Sequence, residues 1–301
     1  MPAIARPRRS VLYMPGARAR ALEKARGLAA DALILDLEDA VTPDEKPNGR
    51  ALVTEAIRLG GYGGRELIVR INGLDTEWGV DDLIAAAAVG PDAILVPKVE
   101  TPEMIADVAE RMAAAGAPTT TAIWAMMETP RGILRAAEIA AAHPLLAGFV
   151  IGANDLVKEL RAEHAPGRAP VAAALGMTLM AARAEGLICI DGVYNAFKDD
   201  DGLRAECEAG RAMGFDGKTL IHPGQLATAN DVFGPSEAAL EEARAQLEAF
   251  EKVQAEGGGV AVVNGRIVEN LHVETATRLI AEAAAIEKLE AQKLEAQKLE
   301  P

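Results

Sequence analysis

Cysteine is scarce in this 301-residue sequence, which contains only Cys189 and Cys207. They lie in an apolar run and in a helical one, with neither the spacing of metal ligands nor the pattern of a disulfide framework. No apolar stretch is long enough to cross a membrane, and the basic start at residues 1–10 leads into Pro15 and Gly16 instead of a signal-peptide core. We therefore expect a protein of the reducing cytoplasm.

Positive charge is also in short supply, because 31 Lys and Arg face 45 Asp and Glu and leave a net charge of −14. Such a field repels polyphosphate, so we expect no general binding to nucleic acid or to anionic membranes. Residues 1–26 are the exception, with seven basic residues and one acidic residue. This segment is either a solvated basic arm or a local site for an anionic ligand.

Eight short apolar runs alternate with alanine-rich stretches of helical spacing, which is the pattern of strands alternating with helices. The runs are residues 11–14, 32–35, 67–69, 93–96, 122–126, 148–151, 187–190 and 218–221. Runs without strict alternation suit parallel strands that helices cover. Eight such units in about 225 residues favour an α/β fold of the (β/α)8 TIM barrel type over a doubly wound open sheet, which stays an alternative.

We predict a TIM barrel catalytic domain over residues 1–230 and a C-terminal helical extension over residues 231–301. Within the extension the pattern predicts a helix over 235–255, an extended piece over 260–268 and a final helix. The end repeats with a period of five, so its leucines drift around a helix, and we expect an exposed, low-complexity tail. The pattern leaves open whether the extension closes its own barrel or that of a neighbouring subunit.

Ionisable side chains follow seven of the eight predicted strands. Loops after barrel strands meet on one face, where barrel enzymes build their sites. A strand end is also polar simply because it meets water, but this number of positions favours a site. The residues are Asp36, Glu38, Asp39, Arg70, Lys98, Glu100, Glu128, Arg131, Asp155, Asp191 and His222.

Carboxylates that converge on one spot repel each other unless a cation neutralises them. The donors are oxygens, with no His or Cys at ligand spacing, so Mg²⁺ is the expected ion and Mn²⁺ the alternative. Glu128 and Asp155 follow adjacent strands and form the best pair of ligands. Asp36, Glu38 and Asp39 are alternatives that would hold water bound to the ion.

Two further polar residues are predicted to be structural. Lys98 stands near Glu100, so we expect an ion-paired lysine and not a Schiff-base nucleophile. His222 precedes Pro223 at the eighth strand end, where we expect it to orient the loop.

Seven motifs follow one another in order between about residues 8 and 280. They are the stretch from Arg9-Ser10 to Pro15-Gly16, Asp36-Leu37-Glu38-Asp39-Ala40-Val41, Arg70-Ile71-Asn72, Pro97-Lys98-Val99-Glu100, Glu128-Thr129-Pro130-Arg131-Gly132, Gly152-Ala153-Asn154-Asp155-Leu156, and Gly214-Phe215-Asp216-Gly217-Lys218 with Ile221-His222-Pro223. Together they resemble the citrate lyase β-subunit-like branch of the HpcH/HpaI aldolase superfamily. Within that branch the chain is similar to CoA-ester lyases that act on malyl-CoA, methylmalyl-CoA or citramalyl-CoA.

The resemblance implies a TIM barrel with Mg²⁺ on Glu128 and Asp155, and Arg70 gripping the carboxylate and oxyanion of the substrate. It also implies a homo-oligomer, a trimer or hexamer, in which the C-terminal extension of one subunit closes the site of the next. The basic N-terminal segment would lie near the CoA phosphates. The substrate-binding candidates besides Arg70 are Arg9, Ser10, Arg20, Lys24 and Pro130.

The catalytic base is the least regular part of the resemblance. Relatives carry a segment of the form Gly-Lys-Met-Ile-Asp that provides a catalytic Asp, whereas residues 265–269 here read Gly-Arg-Ile-Val-Glu. Glu269 keeps the carboxylate but reaches one methylene further. If Glu269 does not serve as the base, Asp36 or a water on the metal must do so.

The expected activity is Mg²⁺-dependent, reversible cleavage of a 3-hydroxyacyl-CoA to acetyl-CoA or propionyl-CoA plus glyoxylate or pyruvate. One alternative is a (3S)-malyl-CoA thioesterase, which releases malate and CoA from the same substrate. A second alternative is a citrate lyase β-like component that acts on a carrier-protein thioester, although the C-terminal extension argues against it. A barrel without turnover is a further alternative that Arg70, Glu128 and Asp155 make improbable.

Overall fold

A computed structural model of the chain describes residues 6–298, and the side chains of 297 and 298 are outside that description. Eight parallel strands close into a barrel in chain order, which confirms the predicted TIM barrel. The strands are β1 (Ser10–Pro15), β2 (Ala32–Asp36), β3 (Glu66–Arg70), β4 (Ala93–Val96), β5 (Ala122–Met127), β6 (Leu146–Ile151), β7 (Ile188–Asp191) and β8 (Gly217–Leu220). All eight predicted runs are therefore strands.

The strands are apolar on both faces because each face is buried. Alternate side chains point into the barrel, where Ile34, Ile68 and Trp124 belong to one buried cluster, while Leu33, Leu35 and Val69 belong to the outer cluster with the helices. This arrangement explains why the runs lack strict polar alternation. The register of β2 and β3 pairs Asp36 with Arg70, which puts these two residues side by side at the carboxyl ends of their strands.

Helices follow the strands and cover the barrel. They are α1 (Ala19–Ala25), α2 (Lys46–Leu59), α3 (Gly79–Val89), α4 (Pro102–Ala114), α5 (Pro130–Leu134), α6 (Ala136–Ala140), α7 (Ala153–Glu159), α8 (Ala172–Ala184), α9 (Asp200–Met213) and α10 (Leu226–Phe233). Sequence explains their ends: Thr101 accepts a hydrogen bond from the Met104 N–H at the start of α4, and Gly214 ends α9 in the left-handed region with φ 106°.

Residues 8–233 form one compact unit and residues 234–294 form another. The second unit contains α11 (Glu237–Ala255), an antiparallel hairpin of β9 (Ala261–Val263) and β10 (Arg266–Val268), and most of α12 (Asn270–Lys298). Phe250, Ala261 and Val268 form its small core. The extended piece predicted over 260–268 is therefore a hairpin.

The hairpin turns at Asn264 and Gly265, whose φ angles of 49° and 74° are those of a tight two-residue turn. In α12 the expectation of an exposed tail is wrong in part, because Leu289 and Lys293 are each only 3% exposed. None of the helices in the described chain is long and apolar enough to span a membrane.

Candidate active site

A cavity of about 370 Å³ opens at the carboxyl ends of the strands. Strand direction explains its chemistry, because every loop that follows a strand begins at this end. Its polar lining includes Tyr13, Asp36, Asp39, Arg70, Glu128 and Asp155. The four barrel residues predicted for catalysis or metal binding therefore meet in one place.

Arg70 is locked in place by carboxylates. Its Nε and Nη2 donate to the two Asp36 oxygens at 2.7 Å each, and its Nη1 lies 2.8 Å from Glu38 Oε2 and 3.3 Å from Asp39 Oδ2. Burial alone would lower the pKa of the guanidinium, but Asp36, Tyr13 and Glu38 together outweigh burial and raise the pKa well above its usual value. Asp36 forms a bidentate pair with the Nε and Nη2 groups of Arg70. A substrate oxygen would therefore contact the remaining N–H groups of the guanidinium.

Asp36 is saturated with hydrogen bonds, which corrects its predicted role as a base. Besides Arg70, its oxygens accept from the backbone N–H groups of Glu38 at 2.9 Å and Ala40 at 3.1 Å. A carboxylate that holds four donors would have to give one up before it could take a proton. The geometry therefore makes Asp36 a positioning residue for Arg70 and for the loop after β2.

Glu128 follows β5 and is buried with little compensation for its charge. Its Oε1 accepts from the Lys98 backbone N–H at 2.8 Å, the one hydrogen bond to this side chain within the described residues. A Cβ at position 152 would lie 2.2 Å from Glu128 Oε2, so only Gly152 lets the side chain fit. Burial, followed by the Glu38 and Asp155 carboxylates, raises the pKa of Glu128 to about 7.

These donors fit a divalent cation. Asp155 lies in the first turn of α7 and lines the same cavity as Glu128. The negative charge of Asp155 helps to raise the pKa of Glu128. No group of three His, Cys, Asp or Glu able to hold a metal occurs in the described part of the chain, so the protein would provide two carboxylates and leave the other positions to water and substrate oxygens. Mg²⁺ is commonly held in this way.

Lys98 does not pair with Glu100, which corrects the sequence prediction. Its Nζ donates to Glu38 Oε1 at 2.9 Å, whereas Glu100 lies 3.3 Å from Arg131. The backbone of Lys98 turns through the left-handed region with φ 49°, a conformation that sequence spacing does not reveal. Burial would lower the pKa of the ammonium, but Glu38 raises it, which is what an ion-paired lysine shows and is unlike the lowered pKa of a Schiff-base lysine.

Arg9 and Ser10 lie at the other end of the barrel, so the structure does not bring these two candidates to the cavity. Both Asp31 oxygens accept from the Arg9 guanidinium at 2.8 Å, and Ser10 Oγ donates to Asn230 Oδ1 at 2.7 Å. The reason is strand polarity, because Ser10 is the first residue of β1.

Three other candidates lie closer to the loops that follow the strands. Arg20 and Lys24 are exposed on α1, which follows the carboxyl end of β1. Pro130 begins α5 just after Glu128 and is partly exposed. None of the three is among the residues that line the cavity in the described structure.

Glu269 belongs to the second unit, directly after β10, and its side chain is exposed. Its backbone N–H donates to His272 Nδ1 at 3.1 Å, which helps to start α12.

His222, expected to orient its loop, accepts from the Gly224 N–H at 3.1 Å and caps the turn after β8.

Sequence reasoning missed Tyr13. Its ring lies under the Arg70 guanidinium, 4.8 Å from Cζ to the ring centroid, and it lines the cavity. Its alternation with the inward-facing Val11 on β1 is the pattern that could have revealed it.

The fold and the cavity define a TIM barrel protein with its site at the carboxyl ends of the strands. The chain belongs to the HpcH/HpaI aldolase/citrate lyase family, whose sequence profile matches residues 9–223, and this confirms the family resemblance. A (3S)-malyl-CoA thioesterase from Cereibacter sphaeroides (strain ATCC 17029 / ATH 2.4.9) is 57% identical over 287 residues, which are 95% of this chain and 98% of that protein.

More distant relatives agree with this family. The citrate lyase subunit beta of Escherichia coli (strain K12) is 36% identical over 92% of this chain and 94% of its own length. The crystal structure of CitE from Mycobacterium tuberculosis in complex with magnesium, acetoacetate and coenzyme A is 30% identical, has a TM-score of 0.75 and covers 94% of this chain and 100% of that one.

Proposed function

We propose that the chain is a Mg²⁺-dependent enzyme that hydrolyses (3S)-malyl-CoA to malate and CoA. The observation that carries this proposal is the cavity in which Glu128 and Asp155 face the locked Arg70. The likeness to the Cereibacter sphaeroides thioesterase supports hydrolysis over carbon–carbon cleavage, which the motifs alone favoured.

Each side chain of the cavity has a definable task in this proposal. Glu128 and Asp155 would hold the ion, which when bound polarises substrate oxygens as a Lewis acid. Arg70 binds the free carboxylate of the malyl group and stabilises negative charge at that end. Asp36 keeps the guanidinium in position, so that no reorganisation is needed when the substrate arrives.

The second candidate is reversible cleavage of malyl-CoA, β-methylmalyl-CoA or citramalyl-CoA to acetyl-CoA or propionyl-CoA plus glyoxylate or pyruvate. The match to an aldolase/citrate lyase family favours it. The same cavity would hold the hydroxy acid, and the base would remove the hydroxyl proton instead of activating water. A carrier-protein thioester as the substrate is the third candidate, and it is supported by the likeness to citrate lyase β subunits.

The proposed base is Glu269 of a neighbouring subunit. The carboxylates that line the cavity are already assigned: Asp36 holds Arg70, Asp39 contacts Arg70, and Glu128 and Asp155 would hold the ion. A base from outside the barrel completes the site, and Glu269 is exposed and follows a hairpin that can present it. This proposal requires a homo-oligomer, which we expect to be a trimer or a hexamer.

Product analysis tests the activity. Purified protein is incubated with Mg²⁺ and (3S)-malyl-CoA, and the acids and CoA species are identified. Malate with free CoA is expected; glyoxylate with acetyl-CoA would replace hydrolysis by the lyase reaction. Asp107→Asn, at an exposed ion pair on α4, serves as the control variant that keeps full activity.

Mixed oligomers test the shared site. Glu269→Ala and Glu128→Gln proteins are each expected to be inactive. When the two exchange subunits, some sites pair an intact barrel with an intact Glu269, so activity returns. If exchange is demonstrated and activity does not return, the base lies in the same chain as the cavity.

A further inference from the structure

Tyr13 is a polar residue of the cavity for which the proposed reaction has no assigned task. It lies on β1, two residues before the strand ends, and its side chain faces the barrel interior. The Arg70 guanidinium stacks on its ring. Tyr13 therefore stands on the same wall as the arginine that would bind the substrate carboxylate.

The hydroxyl of Tyr13 is buried and has no hydrogen-bond partner among residues 6–298. The other two tyrosines differ, because Tyr62 donates to the Leu22 carbonyl at 3.0 Å and Tyr194 donates to Asp199 at 2.6 Å. A buried hydroxyl without a partner destabilises the fold, so its presence in a cavity calls for an explanation, and a bound ligand that accepts its hydrogen bond is one.

The surroundings of this hydroxyl define the ligand atom it would meet. The Asp36 oxygens are already saturated by Arg70 and two backbone N–H groups. Burial raises the pKa of Tyr13, with Arg70 opposing and the nearby carboxylates adding to it, so the hydroxyl keeps its proton and acts as a donor. Its complement is an acceptor oxygen that also faces Arg70.

We propose that Tyr13 is a substrate-binding residue whose hydroxyl donates a hydrogen bond to an oxygen at the carboxylate end of the substrate, next to Arg70. The inference rests on the proposed function for the identity of that substrate. The chemical class is a 2-oxo or 2-hydroxy carboxylate. Tyr13 and Arg70 together would provide a neutral and a charged donor to the same group.

Stability without ligand gives the first test, because it does not depend on turnover. Tyr13→Phe removes the unpartnered hydroxyl and keeps the ring under Arg70, so its melting temperature should equal or exceed that of the wild type. Tyr62→Phe is the matched control; it loses a satisfied hydrogen bond and should melt lower. If Tyr13→Phe is destabilised as much as Tyr62→Phe, the hydroxyl has a protein partner and the inference falls.

Ligand binding gives the second test, with pyruvate as the probe at saturating Mg²⁺. Calorimetry should give a Kd for Tyr13→Phe about ten- to a hundredfold above the wild-type value, as expected for a lost hydrogen bond to a charged group. The kcat/KM for malyl-CoA should fall by a similar factor. Tyr62→Phe should change neither value.

The outcomes separate this inference from the proposed function. If wild type turns over malyl-CoA and Tyr13→Phe matches it in both Kd and kcat/KM, only the inference is wrong. If wild type binds pyruvate but does not consume malyl-CoA, the proposed function fails and the pyruvate comparison still decides on Tyr13. If wild type neither binds pyruvate nor turns over malyl-CoA, both are wrong.

Discussion

The two ends of the barrel carry the same kind of interaction with opposite consequences. At the amino-terminal end, Arg8 forms two hydrogen bonds to Glu66 at 2.6 and 2.9 Å and lies over the Trp124 ring, while Arg9 holds Asp31. Glu66 and Asp31 are each held by an arginine of their own. At the carboxyl-terminal end, Arg70 and Lys98 face a larger set of carboxylates around a cavity. That set is Asp36, Glu38, Asp39, Glu128 and Asp155.

The difference shows that buried ion pairs do not by themselves indicate a site. The pairs at the amino-terminal end are balanced, so they need nothing further. At the carboxyl-terminal end burial, together with the neighbouring Glu38 and Asp155 carboxylates, raises the pKa of Glu128 to about 7, and the cavity gives access to a neutralising ligand. Arg–carboxylate pairs occur at both ends of the barrel. What distinguishes the functional end is an excess of carboxylates over cations beside an open cavity.

The largest expected contrast comes from removing one carboxylate at each end. Glu128→Gln should lower Mg²⁺-dependent turnover by about 1,000-fold or more, because in the proposed site the ion would lose one of two protein ligands. Glu66→Gln should leave kcat unchanged but destabilise the fold by about 3 kcal/mol, since it removes the carboxylate of a largely buried ion pair with Arg8. Turnover and chemical unfolding of both variants measure this contrast, and substantial activity in Glu128→Gln would remove Glu128 from the metal site.

The pH dependence of stability should reveal the poorly compensated charge of Glu128. Burial raises the folded-state pKa of Glu128 to about 7, above its usual value of 4.5, so the contribution of Glu128 to the stability of the metal-free protein is greatest below pH 4.5 and declines as the pH rises through 7. Relative to Glu128→Gln, the wild type should lose about 3 kcal/mol between pH 4.5 and pH 8, from 1.36 kcal/mol for each pKa unit. Urea unfolding at both pH values measures it.

Mg²⁺ provides the control for that experiment. Adding it at pH 8 should restore the lost stability in the wild type and not in Glu128→Gln, because at the proposed site the ion would bind the ionised carboxylate. A wild type and variant that differ equally at both pH values would contradict the raised pKa.

A smaller effect is expected from the carboxylates that hold the arginines. Asp36→Asn loosens Arg70 and should reduce kcat/KM about ten- to a hundredfold, the cost of a weakened charged contact. Asp31→Asn weakens the corresponding pair with Arg9 and should affect stability only. Steady-state kinetics and thermal melting of the two variants separate an effect on positioning from an effect on folding. Equal losses of activity in the two variants would contradict the role of Asp36 in positioning Arg70.

The smallest effect should come from Lys98, whose side chain is 49% exposed. Lys98→Gly keeps the left-handed backbone and loses the ion pair with Glu38. Because the lysine side chain is half exposed, this ion pair is worth about 1 kcal/mol or less. Turnover should fall by fivefold at most. Arg161→Gly, at a similar φ of 54°, controls for the backbone gain, and a collapse of turnover in Lys98→Gly would show a direct role.

Much of this site was predictable because it follows from strand direction. Arg70, Glu128 and Asp155 each stand at or just after a predicted strand end, and the barrel brings such positions together. The same rule places Arg9 just before β1 and Ser10 at its first residue, and so puts both at the opposite end of the barrel. The pairing of Lys98 depended on a positive φ that no local pattern of side chains indicates.

The sequence alone determined the order of strands and helices and which polar residues follow each strand, because apolar periodicity and capping are local properties of the chain. Only the tertiary structure decided which charges are partnered. Closure of the barrel sets the register that joins Asp36 to Arg70, buries Glu128 behind Gly152 and leaves the Tyr13 hydroxyl without a partner among residues 6–298. Distances between residues far apart in the chain control charge compensation, and those distances exist only once the chain has folded.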